Sequence, residues 1–164
     1  MWARHPHLRL LPPYLGDTDH SKPRYVLKTW LLTLLPSLIL AGIVGAVAGQ
    51  AEGPDFGAPG WLLLFGLVVF APVVETLIMV PPLLVLNRLL GPTPAVILSA
   101  IGWGIAHSLQ APLWGLIIWW PFFVFSSVLL VWRERSLATG MLLVMTIHAM
   151  QNLIPALLLF LGYA

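Results

Sequence analysis

Glu75, His107 and His148 are ionisable side chains set inside long apolar runs, and Asn152 adds an amide one helical turn beyond His148. A carboxylate beside imidazoles can act as a general base on water. Imidazole and amide N–H groups can steady an oxyanion during acyl transfer. Together the four supply the parts of a hydrolytic site that uses neither a serine nor a cysteine nucleophile. The set calls for no cofactor. Two histidines and one carboxylate are nevertheless a known catalytic zinc ligand set, so a divalent metal such as zinc on Glu75, His107 and His148 stays open, although the helical His-Glu-x-x-His pattern is absent.

Taken singly, a histidine or an asparagine inside a helical bundle need do no more than hydrogen-bond between helices. Glu75 is harder to explain as structure, because a carboxylate facing hydrocarbon is costly. His107 and His148 on separate helices could also be axial haem ligands, which leaves Glu75 and Asn152 without a role. A proton-linked transporter finds little support in a chain with one such carboxylate and no internal repeat.

These residues need elements to position them. The chain has 164 residues, of which 59% are hydrophobic and 9% charged. Ordinary soluble domains carry about 25% charged residues, and a soluble fold this small could not hide so much apolar surface. The bilayer is the expected solvent. Residues 1–25 form a polar, mostly irregular cytoplasmic tail in which Leu8–Leu15 could touch the membrane surface. A cleaved leader ending near Ala46-Val47-Ala48 is disfavoured, since its apolar run is too long. Residues 26–164 form a single transmembrane domain. Its five apolar segments run over Val26–Gly49, Gly60–Leu86, Thr93–Leu109, Pro112–Trp132 and Leu137–Gly162. The second is long enough to tilt, or to break at Pro81-Pro82. The expected fold is an all-α polytopic bundle of about five transmembrane helices. Ala41, Gly45 and Gly49 would give the first helix a close-packing face, and several tryptophans suit interfacial belts.

Charge sets a direction. The basic residues of the tail, Lys28, Arg88, Arg133 and Arg135 all fall on one side of a five-span arrangement, and Glu52 and Asp55 on the other. Basic loops favour the cytoplasm. The N-terminus is therefore expected inside and the C-terminus outside, in a plasma (inner) membrane. Counted from the cytoplasmic end, Glu75 lies roughly 17–20 Å deep, His107 about 21 Å and His148 about 16 Å. Three helices thus bring polar groups to one level, and convergence is the economical arrangement.

Ala71-Pro72-Val73-Val74-Glu75-Thr76 resembles the first motif, Ala-Pro-x-x-Glu-Glu-x-x-x-Arg, of the CAAX-protease and bacteriocin-processing family of intramembrane proteases. Trp103-Gly104-Ile105-Ala106-His107 resembles its second, Phe-x-x-x-His, and His148-Ala149-Met150-Gln151-Asn152 its third, His-x-x-x-Asn. The three stand in family order over about residues 65–160. The resemblance implies an endopeptidase acting on membrane-associated peptides or proteins, with its site inside the bilayer. Its partners would be the lipid bilayer and a peptide or protein substrate, with no nucleic acid. It also implies Glu75 as the base that activates water, with His107, His148 and Asn152 positioning water and steadying the oxyanion. Thr76 replaces the second Glu of the first motif, and Val80 stands where the motif has Arg. That departure motivates an alternative, a non-catalytic relative acting as a membrane binding or scaffold protein.

Overall fold

The computed structural model describes residues 5–49, 54 and 60–162; Glu52 and Asp55 lie outside the described residues. The described chain is helical, an all-α bundle. Helix α1 is Lys22–Ala48, α2 is the continuous rod Trp61–Leu90, α3 is Pro92–Ser108, α4 is Gly115–Trp132 and α5 is Leu137–Phe160. Helices α1, α2, α4 and α5 are each long and apolar enough to cross a membrane, as expected of an integral membrane protein. Helix α3, with 17 residues, is about 26 Å long, slightly short of a hydrocarbon core of roughly 30 Å.

Local sequence explains the boundaries. Pro23 sits in the first turn of α1, where its missing N–H costs nothing. Gly91, at φ 85°, ends α2, and Pro92 starts α3 directly after it. Ser136 caps α5 by accepting from the Thr139 amide. The Pro81-Pro82 pair does not break α2, which stays helical through Leu90. The irregularity lies earlier, as a π-helical turn over Gly66–Phe70.

Helix α4 is the centre of the bundle. Every residue from Val124 to Trp132 is buried, as suits a helix that is apolar all round. Its two serines stay inside because both are satisfied: Ser127 donates to the Phe123 carbonyl, and Ser126 to the Ser99 hydroxyl of α3. Around it, the outward residues Leu35, Ile39 and Ile43 of α1, Ile78 and Val85 of α2 and Leu142 of α5 are exposed and apolar, a surface suited to lipid.

Helices α3 and α4 approach backbone to backbone at Gly104 and Gly115. A Cβ on Gly104 would lie 3.2 Å from the Gly115 carbonyl oxygen, and one on Gly115 would overlap the Gly104 carbonyl and the Ser108 hydroxyl. Gly104 is one turn before His107, so this contact sets how α3 presents that histidine. The expected small-residue face of α1 behaves differently. Gly45 and Gly49 have open space around them, and the outer part of α1 packs on nothing within the described chain.

The N-terminal segment corrects the expectation of an irregular tail. Pro6–Leu10 and Pro13–Gly16 form two short 3-10 turns, and Leu8, Leu11 and Leu15 are buried in the core. Leucines at these spacings line one side of a compact segment, and Pro12 and Pro13 only divide it. The segment plugs one end of the bundle. His5 pairs with Glu134 at 2.9 Å, and the His7 Nδ1 lies 3.4 Å from the Thr93 hydroxyl of α3. The end of α4 and the start of α3 therefore share one end of the molecule with the N-terminal segment.

Two outcomes are expected. Gly115→Ala should destabilise the bundle by about 3 kcal/mol through overpacking, whereas Gly102→Ala, with open space around it, should be close to neutral; unfolding in mixed detergent micelles measures both. Burial first, and the neighbouring His5 second, hold the His7 pKa down from 6.5 to about 4. The docked segment thus prefers neutral His7, so its stability is intact above pH 6.5 and is lost as pH falls toward about 4. Amide exchange over residues 5–16, corrected for intrinsic rates, should accelerate across that window and stay flat in His7→Leu.

Candidate functional site

Helices α2, α3 and α5 each contribute one ionisable side chain to a single cluster. The Glu75 Oε2 lies 4.0 Å from the His107 Nε2 and 3.8 Å from the His148 Nε2. The side chains are 22%, 8% and 6% exposed for Glu75, His107 and His148. The convergence expected from their depths is what the fold contains. These separations are too long for direct hydrogen bonds, and the Glu75 Oε2 has no hydrogen-bond partner among the described residues.

The protonation pattern of His107 follows from its other nitrogen. Its Nδ1 lies 2.8 Å from the Trp103 carbonyl oxygen, one turn back on α3. A carbonyl only accepts, so Nδ1 carries the hydrogen, and the Nε2 of a neutral ring presents a lone pair. That lone pair faces the Glu75 carboxylate. Two acceptors so placed call for a donor between them. Aromatic walls enclose the pair of histidines. His107 meets Trp114 edge-on at 4.7 Å and Phe122 at 5.4 Å, and His148 lies 4.8 Å from Phe125 and 5.5 Å from Phe122. Trp103 stacks on Phe122 at 4.4 Å, which makes it a packing residue as well as the carbonyl that orients His107.

Asn152 acts on the backbone. In the π-turn the Ala71 amide bonds back to the Gly66 carbonyl, five residues earlier. The next donor in that register, for the Leu67 carbonyl, would be residue 72, a proline without an N–H. The Asn152 Nδ2 supplies the missing donor, at 2.9 Å from the Leu67 oxygen. One face of the Asn152 amide thus ties α5 to α2 one turn from His148. Thr76 is similarly committed: its hydroxyl donates to the Pro72 carbonyl at 2.6 Å, the carbonyl one turn back on its own helix. Val80, at the position of the motif's Arg, is buried in the core.

Tetrahedral zinc at usual bond lengths brings neighbouring ligand atoms to about 3.3 Å of each other, closer than Glu75 comes to either histidine. Among the described residues no three His, Cys, Asp or Glu side chains are placed to hold a metal ion. Sequence reasoning missed Trp114, Phe122 and Phe125 as walls, because nothing in their spacing separates a wall from ordinary packing. The Leu67–Asn152 bond did have a signal, the donor lost at Pro72.

That bond is testable by a double-mutant cycle. Asn152→Ala should cost about 1 kcal/mol, within the range for interhelical hydrogen bonds in membranes. Pro72→Ala restores an N–H to the Leu67 carbonyl, so the double variant should lose less than the sum of the single losses. Strict additivity in detergent unfolding would remove the assigned role.

Comparison with protein-family models, with curated proteins and with solved structures finds no match for the chain.

Proposed function

We propose that this chain is an intramembrane endopeptidase in which Glu75 activates water against a peptide bond of a membrane-associated peptide or protein. The observation that carries the reading is one carboxylate oxygen within 4.0 Å of two imidazoles from different helices, in an aromatic enclosure. A water about 2.8 Å from both the carboxylate and an imidazole nitrogen spans such a gap with an angle near 90°. Glu75 accepts one hydrogen of that water and the His107 Nε2 the other, which turns the oxygen lone pair toward the substrate carbonyl. The hydroxyl oxygen bonds to the carbonyl carbon as Glu75 takes the proton. His148 donates to the oxyanion. Glu75 then returns the proton to the leaving nitrogen as the C–N bond breaks. Asn152 is the positioning residue, holding α5 against α2. The resemblance of three short stretches to the motifs of the CAAX-protease and bacteriocin-processing family supports the same reaction class. The Lys and Arg residues gathered at one end support the reading that this end faces the cytoplasm.

Cleavage is read as new N-termini in membranes that express the chain. Glu75→Gln keeps the shape and removes the base. It should lower the yield of those termini by about 10²–10⁴-fold with an unchanged unfolding midpoint in detergent. Undiminished cleavage in a folded Glu75→Gln protein ends this mechanism.

One observation favours a second reading, a family-like membrane scaffold without catalysis. Thr76 is spent on the Pro72 carbonyl and Val80 is core, so neither supplies Glu75 with an orienting partner. A partner captured uncut and equally well by the native chain and Glu75→Gln would decide for it.

A further inference from the structure

An open polar pocket of about 320 Å³ lies away from Glu75, where the N-terminal segment meets the turn between α4 and α5. That is within the size range of small-ligand sites. Its walls carry Thr18, Asp19 and Lys22 on one side and Trp132, Arg135 and Thr139 on the other, with His20 beside them. Ion pairs already present divide these charges unevenly. His20 pairs with Asp17 at 3.2 Å, and Arg135 pairs with Asp19. Lys22 has no ion-pair partner among the described residues. The Arg135–Asp19 pair is 53% and 80% exposed, and exposed pairs hold weakly. Arg135 can therefore turn to a better anion without a large loss.

Depth argues for the same ligand. Lys22 opens a helix of 27 residues, about 40 Å long. That length spans a bilayer's hydrocarbon core of about 30 Å and reaches into both headgroup layers. Its first turn therefore sits among phosphates. Two cations, one of them a planar donor fork, flanked by two hydroxyls match a tetrahedral anion with several oxygens.

We infer that this cavity binds a phosphate group, with Lys22 and Arg135 as its cationic contacts and the Thr18 and Thr139 hydroxyls as donors. The phosphate belongs to an anionic phospholipid headgroup of the surrounding leaflet or to a soluble phosphate. Once bound it joins the N-terminal segment to the α4–α5 turn, displaces Asp19 from Arg135, and stabilises the plugged end of the bundle by mass action.

The full chain is purified into nanodiscs of phosphatidylcholine alone, of phosphatidylcholine with about a third phosphatidylglycerol, and of phosphatidylcholine with added inorganic phosphate. The thermal midpoint and the lipids retained in native mass spectrometry are measured. A rise with phosphatidylglycerol alone identifies a headgroup, and a rise with inorganic phosphate as well identifies a soluble source. Both support the site. Lys22→Gln and Arg135→Gln should each weaken binding roughly fivefold, while Arg88→Gln, a basic residue outside the cavity, should leave it unchanged. Asp19→Asn removes the competing anion and should tighten binding. No rise with either phosphatidylglycerol or inorganic phosphate over phosphatidylcholine alone, or equal losses in Lys22→Gln and Arg88→Gln, overturns the inference.

Discussion

Hydrocarbon offers no hydrogen bonds, so a backbone carbonyl that loses its amide inside a membrane must find another donor within the protein. Part of this bundle's polar detail follows from that constraint, and further side-chain bonds to backbone carbonyls add to it. Pro72 strips the Leu67 carbonyl of a donor, and Asn152 replaces it from α5. The Trp120 indole donates to the Leu32 carbonyl and joins α4 to α1. The Thr33 hydroxyl lies 2.8 Å from both the Trp30 carbonyl and the Gln151 amide oxygen, linking α1 to α5. The Trp103 carbonyl takes the His107 Nδ1 hydrogen and fixes the ring on which the site depends. Side chains that read as isolated polar residues in an apolar sequence are in large part backbone donors.

This explains what could be read in advance. Long apolar runs fixed the five helices to within a few residues, because in lipid each such run must form its own hydrogen bonds. The cluster of Glu75, His107 and His148 was legible because three ionisable groups at one depth cost least when they meet. The π-turn was not, since a five-residue register leaves no period in the apolar pattern. The target of Asn152 was hidden with it, because the Leu67 carbonyl is free only through that register and Pro72, whereas Thr76 makes the ordinary bond of a helical threonine to the carbonyl four residues back. The buried N-terminal plug was obscured by polar composition. Leu8, Leu11 and Leu15 carried its signal, and the intervening prolines made the segment look extended.

Packing at a distance sets the reach of the cluster. The Gly104–Gly115 approach brings α3 against α4 without intervening side chains, and Phe122 and Phe125 of α4 then stand beside both histidines. The central, largely apolar helix thus serves as the wall that keeps the polar groups facing one another. The same small-residue spacing in α1 meets no neighbour. Spacing alone marks where close approach is possible, and the partner backbone decides where it happens.

The departures from the familiar first motif become coherent in this setting. A glutamate and an arginine buried together can offset each other's desolvation, and removing one strands the other. Here both positions are uncharged, Thr76 and Val80, so no charge is stranded. What remains is a carboxylate without a hydrogen-bond partner facing an imidazole whose tautomer is locked to present a lone pair. Two facing acceptors are unfavourable until a donor with two hydrogens lies between them, and water is the smallest such donor. Without an arginine to aim Glu75, its direction must come from the rod that carries it. The π-turn, anchored to α5 through Asn152, is the feature of that rod placed to provide it.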